Sequence, residues 1–170
     1  MKPIIIAIVG DSGSGKTYMA EFLRNQLNVP TIVSYTTRPK RPGETDGVGH
    51  YFINASQLPD KQDMLAYTSF GGYEDFALHE QVPCKGICCY VIDESGLEML
   101  YYNHCERYDI VSVLIICPQD VLILRGIDSN RLKRDKGRKN LGEKFFDCII
   151  RNDVSKEEFE YKILCEFNRL

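Results

Sequence analysis

The sequence predicts a three-layer α/β domain in which helices cover both faces of a five-stranded parallel sheet. Three observations favour this fold class. Short, wholly apolar runs recur along the chain, segments with helical spacing of apolar residues separate them, and a glycine-rich loop follows the first run. Continuous apolar runs are typical of parallel strands that are buried on both faces. Their alternation with helical segments is typical of β-α-β units.

The elements are predicted in the following order. The first strand covers Ile4–Val9, and the first helix covers Thr17–Leu27, where apolar residues recur every three or four positions. A closing helix is predicted over Ser155–Leu170, because Ser155 is a good N-cap and Glu158 stands three residues later. The other strands are predicted at Pro30–Ser34, Ile87–Ile92, Val111–Ile116 and Cys148–Ile150.

Length and composition indicate one domain over residues 1–170, large enough to bury a core without disulfides. The net charge of −3 gives no indication of a nucleic-acid or membrane partner. The early apolar run is too short for a signal segment or a membrane span, so we expect a cytoplasmic protein. The seven cysteines are an odd number, and we expect free thiols. Cys84, Cys88 and Cys89 lack the Cys-x₂-Cys spacing of zinc sites, so we predict no structural metal there.

Two segments depart from the core pattern. Residues 35–80 mix polar, glycine and aromatic residues, as expected of a small inserted substrate-binding region. Residues 125–140 are strongly basic, and we interpret them as a lid beside a phosphate site, although charge runs are often simply solvated surfaces. The basic residues of this segment are Arg125, Arg131, Lys133, Arg134, Lys136, Arg138 and Lys139.

The glycine-rich segment matches the phosphate-loop motif G-x₄-G-K-[ST] in full. Glycines allow successive backbone N–H groups to point at phosphate oxygens, and the helix that follows adds the positive end of its dipole. We predict that Lys16 contacts the terminal phosphates of ATP and that the Thr17 hydroxyl binds Mg²⁺. The residues of this nucleotide-binding loop are Gly10, Asp11, Ser12, Gly13, Ser14, Gly15, Lys16 and Thr17.

An acid and a pair of arginines complete the predicted phosphate chemistry. Asp93 follows an apolar run, where a carboxylate at the end of a neighbouring strand can help to organise Mg²⁺. The alternative interpretation is that Asp93 only caps the next helix. Arg38 and Arg41 lie three residues apart after the second predicted strand. Their planar guanidinium groups suit a doubly charged phosphate.

The segment from Ser34 to Glu44, with the sequence SYTTRPKRPGE, closely resembles guanylate kinase when it is taken together with the phosphate loop. The resemblance continues through Asp46-Gly47 and Tyr51-Phe52-Ile53, and it returns at Val91-Ile92-Asp93-x-x-Gly96 and Ile149-Ile150-Arg151-Asn152-Asp153. It implies a P-loop kinase fold with an acceptor-binding insert and a lid. It also implies Mg²⁺-dependent transfer from ATP to a nucleoside monophosphate, with GMP as the first candidate.

The resemblance further implies individual roles. Ser34 would contact the acceptor base, and Arg38 and Arg41 its phosphate, with His50 and Tyr51 nearby. Asp93 would serve near Mg²⁺ and the acceptor, and Asn152 near the ATP adenine. The lid arginines that stabilise the transferring group would be Arg125 and Arg131, with Arg134 or Arg138 as alternatives.

The sequence also departs from the family pattern. His50 stands where the family has a phosphate-contacting Tyr, and residues 65–70 lack the Glu that reads guanine. Glu74 or Asp75 could restore that contact. A related kinase with another acceptor, such as another nucleotide or a ribose bisphosphate, therefore stays open. So does a non-catalytic guanylate-kinase-like binding module, although the complete Gly15-Lys16-Thr17 argues against it. The sequence leaves the oligomeric state undetermined.

Overall fold

Two β-sheets organise the chain in the computed structural model, which describes residues 1–168 and, for Phe70, the backbone alone. The strands are β1 (Ile4–Gly10), β2 (Thr31–Ile32), β3 (Ser34–Thr36), β4 (His50–Phe52), β5 (Met64–Phe70), β6 (Tyr73–Leu78), β7 (Ile87–Val91), β8 (Asp109–Ile116) and β9 (Cys148–Arg151). The helices are α1 (Lys16–Leu27), α2 (Glu94–His104), α3 (Gln119–Leu124), α4 (Ser129–Lys136) and α5 (Lys156–Phe167). Short 3₁₀ turns lie at Ala55–Gln57, Lys61–Asp63, His79–Gln81 and Glu143–Phe145.

The main sheet has five strands in the order β2-β7-β1-β8-β9, and all of its pairs are parallel. Successive β1 side chains enter two different apolar clusters. Ile5 packs with Leu97 of α2, whereas Ile6 packs with Met19 of α1 and Phe159 of α5. Because side chains alternate between the faces of a strand, helices lie on both sides of the sheet. The predicted three-layer fold with a five-stranded parallel sheet is confirmed.

The predicted strand at Pro30–Ser34 is in fact the junction of the two sheets. Thr31 and Ile32 pair with β7 in the main sheet, whereas Ser34 already pairs with β4 in the second sheet. A single apolar run cannot reveal this change of partner, because both strands have the same local extended backbone. The closing helix begins as predicted, with the Ser155 hydroxyl accepting a hydrogen bond from the N–H of Glu158. Residues 169 and 170 of that prediction lie outside the described part of the chain.

The second sheet has the order β4-β3-β6-β5 and runs from Ser34 to Leu78, so it begins one residue before the segment 35–80 that was predicted to be an insert. Cys88 and Cys89 are buried in β7, where burial raises the pKa of Cys88 to about 12. Among residues 1–168, no helix is long and apolar enough to cross a membrane.

Candidate active site

The phosphate loop joins β1 to α1, and its backbone requires glycine at both ends. Gly10 and Gly15 have φ of 150° and 110°, values that other residues rarely adopt. A Cβ atom on Gly10 would lie 2.5 Å from the carbonyl oxygen of Ile115, and one on Gly15 would lie 2.5 Å from Nδ2 of Asn152. The loop is therefore held against β8 and against the residue that follows β9.

Lys16 is the first residue of α1, and its amine folds back over the loop. Nζ donates hydrogen bonds to the carbonyl oxygens of Gly10 (2.6 Å) and Asp11 (2.8 Å). Burial, and after it the nearby Arg138 guanidinium, lower the pKa of Lys16 to about 8. A phosphate anion beside this buried amine would stabilise its charged form. Thr17 follows directly in the first turn of α1, beside the loop.

Asn152 lies beneath the phosphate loop. Its Nδ2 donates to the carbonyl oxygen of Ser14 at 2.7 Å, and only 6% of the residue is exposed. Its backbone and side-chain oxygens both accept from Arg125, at 2.9 and 3.1 Å. The described contacts thus give Asn152 a supporting place under the loop. Its predicted contact with adenine remains a prediction, as does the catalytic role of Arg125, which lies on this side of the loop.

Helix α4 lies over the phosphate loop. The carboxylate of Asp135 accepts a hydrogen bond from the backbone N–H of Ser12 at 2.6 Å, and Arg134 donates to the Ser12 hydroxyl at 2.9 Å. Burial alone would raise the pKa of Asp135, but the hydrogen bonds from Ser12 outweigh it and hold the pKa below its usual value. The pKa of Arg41 is lowered by burial first, then by the charge of Arg38, and to a smaller extent by the charge of Arg131, which therefore lies nearby. The basic segment therefore lies near both the phosphate loop and Arg41.

Asp93 has the capping role that the sequence left as its alternative. Its Oδ1 accepts a hydrogen bond from the N–H of Gly96 at 2.8 Å, which makes Asp93 the N-cap of α2. A cap of this kind satisfies a backbone N–H that has no partner within the helix. This geometry leaves the second carboxylate oxygen available, so a contact with Mg²⁺ stays a prediction. The next residue, Glu94, pairs with Arg138 at 2.7 Å.

Arg38 and Glu44 form a bidentate ion pair on the acceptor side. NH1 donates to Oε2 and NH2 donates to Oε1, both at 2.7 Å. The backbone N–H of Arg41 also donates to Glu44, at 2.8 Å, while the Arg41 side chain is 48% exposed. The hydrogen bonds from Arg38 lower the pKa of Glu44 to about 2. Both arginines predicted to bind the acceptor phosphate thus lie next to one carboxylate.

The remaining residues predicted to bind the acceptor lie on two different faces of the second sheet. Ser34 pairs with His50, and Thr36 pairs with Asp75, so these residues share one face. Tyr51 lies on the opposite face, where its ring is 5.0 Å from that of Tyr35. The sequence predicted both His50 and Tyr51 near the acceptor, and only His50 shares the face of Ser34.

The same alternation separates the two acids of β6. Glu74 lies on the face opposite Asp75, and its Oε1 accepts a hydrogen bond from the Tyr67 hydroxyl at 3.1 Å. Asp75 lies among Ser34, His50 and Tyr90. Burial raises the pKa of Tyr90, the hydrogen bond with Ser34 lowers it, and the charges of Asp93 and Asp75 raise it. Burial also lowers the pKa of His50, and Asp75 partly opposes that effect.

Sequence reasoning missed three acids of this site. Glu44 belongs to the segment that carried the resemblance, and its place six residues after Arg38 could have suggested an ion pair between them. Asp135 and Glu94 gave no such signal, since their partners Ser12 and Arg138 lie 123 and 44 residues away along the chain. Contacts at those separations depend on how the sheet and the lid segment fold together.

The sequence is similar to those of known guanylate kinases. A sequence model described as guanylate kinase matches residues 1–82. The chain is 29% identical to a guanylate kinase of Ehrlichia canis over 182 aligned positions, covering 96% of this chain and 85% of that one. It is 27% identical to a guanylate kinase of Novosphingobium aromaticivorans, covering 88% of this chain and 75% of that one.

Solved structures show the same fold. A guanylate kinase of Anaplasma phagocytophilum superimposes with a TM-score of 0.69 at 20% identity, covering 99% of this chain and 86% of that chain. A sugar kinase from a Janibacter species superimposes with a TM-score of 0.53 at 12% identity, covering 99% of this chain and 95% of that chain. At these identities the superpositions indicate a shared architecture rather than a shared substrate.

Proposed function

Because the chain belongs to the guanylate kinase family, we propose that it transfers the γ-phosphoryl group of ATP to GMP, giving ADP and GDP. It is a guanylate-kinase-like enzyme that acts on nucleotides, an ATP-dependent nucleoside monophosphate kinase. The proposal concerns the acceptor. The observation that carries it is the place of Asp75, on the face of the second sheet that also bears Ser34 and His50.

A carboxylate at this place favours guanine for a chemical reason. Guanine presents two adjacent donors on one edge, N1–H and the exocyclic amine, and a carboxylate can accept from both. Adenine cannot offer that pair of donors. A buried acid left without its partner would be costly, so the wrong base is rejected. Asp75 therefore supplies the acid that residues 65–70 lack, whereas Glu74 lies on the other face.

Different groups of the protein would hold the acceptor phosphate and the phosphates of ATP. We assign the acceptor phosphate to Arg38 and Arg41, and the terminal phosphates of ATP to Lys16 and the loop backbone. In-line transfer needs little covalent chemistry from the protein, so positioning and charge neutralisation carry the reaction. The acceptor phosphate is itself the nucleophile, and no side chain is required as a strong base.

Mg²⁺ is the cofactor that we propose with ATP. Among the described residues, no group of three or more His, Cys, Asp and Glu side chains could hold a metal ion by itself. Mg²⁺ commonly takes one or two protein oxygens together with nucleotide phosphates. The Thr17 hydroxyl and the Asp93 oxygen not used in capping are donors of that type. When bound, the ion would supply positive charge to the phosphate oxygens.

An acceptor comparison with matched variants tests the proposal. We would measure kcat/KM for GMP, IMP and AMP in wild type, Asp75→Asn and Glu74→Gln. IMP lacks only the exocyclic amine, so the GMP-to-IMP ratio isolates one hydrogen bond to a carboxylate, an effect of roughly 10–10² fold. Asp75→Asn is expected to bring this ratio near one, and Glu74→Gln is expected to leave it unchanged.

Two other outcomes would contradict the proposal. If the GMP-to-IMP ratio fell in Glu74→Gln and not in Asp75→Asn, the base contact would belong to the face of Glu74, and the role proposed for Asp75 would be wrong. Activity with a sugar phosphate, and with none of the nucleotides, would exclude GMP as the acceptor. Lys16→Ala serves as the inactive reference, because loss of a charge-stabilising contact typically lowers the rate by about 10²–10³ fold.

A further inference from the structure

Arg138 lies closer to the phosphate loop than its place in the sequence suggests. We propose that Arg138 is a further phosphate-binding residue of the ATP site and that Glu94 is the residue that positions it. The inference rests on the proposed kinase function for its chemistry. It adds a cation beyond the end of α4 to the phosphate contacts of the loop, and it gives a function to Glu94, which sequence reasoning left unassigned.

Two cations meet at one atom of the loop. NH1 of Arg138 donates to the carbonyl oxygen of Gly10 at 2.8 Å, and Nζ of Lys16 donates to the same oxygen at 2.6 Å. The Arg138 side chain is only 16% exposed. Like charges this close repel each other, and limited solvent exposure weakens the screening between them. An anion placed between them would relieve the repulsion, and the terminal phosphates of ATP are the anions that this loop binds.

Glu94 holds the guanidinium in that position. Its Oε2 accepts from both Nε and NH2 of Arg138, at 2.9 and 2.7 Å, and the Glu94 side chain is 13% exposed. This leaves NH1 directed at the loop. Glu94 is the first residue of α2, where the positive end of the helix dipole favours a carboxylate. A planar group fixed along one edge loses less freedom when its other edge binds a ligand.

The other arginines of the basic segment have different attachments. Arg125 donates to the backbone and side-chain oxygens of Asn152. Arg134 lies on α4 and donates to the Ser12 hydroxyl, with 37% of its side chain exposed. Arg138 follows α4, and its backbone N–H still donates to the carbonyl oxygen of Asp135 in that helix. Its guanidinium, in contrast, is held by Glu94 of α2, so its orientation depends on an element other than α4.

The experiment compares four variants: Arg138→Gln, Glu94→Gln, Glu94→Asp and the double variant Glu94→Gln/Arg138→Gln. We would measure the dissociation constant of ATP without acceptor, and kcat and KM for ATP at saturating acceptor. Arg138→Gln is expected to lower kcat/KM for ATP about 10²-fold, as for loss of one charge-stabilising donor. Glu94→Gln is expected to lower it about tenfold, and Glu94→Asp, which keeps the charge, to recover most of that loss.

The double variant decides between positioning and a separate structural role. If Glu94 acts through Arg138, the double variant is expected to match Arg138→Gln alone, because residues in one network are not additive. Losses that multiply would overturn the role of Glu94. An ATP dissociation constant and a kcat that stay within twofold of wild type in Arg138→Gln would overturn the role of Arg138.

Glu98 provides the matched control. It lies one turn further along α2 and pairs with Lys139, whose side chain is 51% exposed. Glu98→Gln removes a surface ion pair next to the one in question, and it is expected to leave kcat and the ATP dissociation constant unchanged. A wild type that binds ATP but phosphorylates no nucleotide would refute the proposed acceptor. The ATP binding data would still test Arg138 in that case.

Discussion

At the scale of single residues, the proposed acceptor site contains a carboxylate of its own. Glu44 accepts two hydrogen bonds from Arg38 and one from the backbone of Arg41. The pair fixes the direction of the Arg38 guanidinium, which also lies over the Phe52 ring at 5.1 Å. Arg41 has a longer contact of 4.0 Å with Glu44 and is more exposed. The two arginines therefore differ in how firmly Glu44 holds them, although the sequence pattern predicts the same role for both.

This difference gives a prediction for Arg38→Ala and Arg41→Ala. Both variants are expected to raise KM for GMP at least tenfold while changing KM for ATP little, since both remove an acceptor-side cation. Only Arg38→Ala leaves the Glu44 carboxylate without its bidentate partner, which is expected to lower the free energy of unfolding by about 1–2 kcal/mol. Steady-state kinetics and thermal unfolding of the same samples check both parts.

Glu44→Gln is the companion variant. It removes the anion and leaves both arginines, so it is expected to affect stability more than KM for ATP. Equal acceptor KM in wild type and in both arginine variants would contradict the assignment of the acceptor phosphate to this pair.

At the scale of elements, α4 joins the segment that we predict to be a lid to the phosphate loop. Asp128 caps α4 by accepting from the N–H groups of Asn130 and Arg131. The helix then reaches the loop through Asp135, whose side chain is 5% exposed. Ser12 bonds to two residues of α4: its backbone N–H donates to Asp135, and its hydroxyl accepts from Arg134. One short helix is thus attached to the loop by its C-terminal half.

Asp135→Asn is predicted to loosen this attachment. The amide keeps the shape of the side chain but loses the charge, so the hydrogen bond from the Ser12 N–H weakens by about 1 kcal/mol. We expect faster hydrogen exchange of the amides in residues 129–136 without nucleotide, and little change in α5.

Asp120→Asn, in the exposed first turn of α3, is the control for a simple change of charge. Identical exchange in wild type and Asp135→Asn over residues 129–136 would show that Asp135 does not hold the helix on the loop.

At the scale of the whole molecule, the parallel sheet brings the site together. The phosphate loop follows β1, Asp93 follows β7 and Asn152 follows β9, so all three lie at the carboxyl ends of parallel strands. Ligands of open α/β sheets bind at that edge. The second sheet adds the proposed acceptor face through Ser34, which lies close enough to Tyr90 of the main sheet to lower the pKa of that tyrosine. One edge of the main sheet and one face of the second sheet thus form the proposed site.

The cysteines provide a test of the whole fold. Cys84, Cys105 and Cys165 are exposed, whereas Cys88, Cys89 and Cys117 are buried. Cys148 is half-buried, and burial raises its pKa to about 12 as well, so little of it is the reactive thiolate at pH 7. A thiol reagent at pH 7 is expected to label the three exposed cysteines of the native protein, and the others only after unfolding. Mass spectrometry after timed labelling checks this, and rapid native labelling of Cys89 would contradict the buried position of β7.

Sequence alone determined the features that depend on local pattern. The apolar run of β1, the glycine positions of the phosphate loop and the Ser155 cap follow from backbone conformation and nearest neighbours, which neighbouring residues encode directly. The parallel sheet followed from the alternation of these elements. The split of Pro30–Ser34 between two sheets did not, because strand pairing is decided by distant partners.

Only the tertiary structure decided which charged side chains meet. Asp75 and Glu74 are neighbours in sequence, and the register of β3 with β6 places them on opposite faces. Arg138 and Arg125 are two members of one basic run, and the folding of the segment over the loop ties one to Glu94 and the other to Asn152. Such choices depend on the energy of burying charges together, which exists only once distant segments have packed.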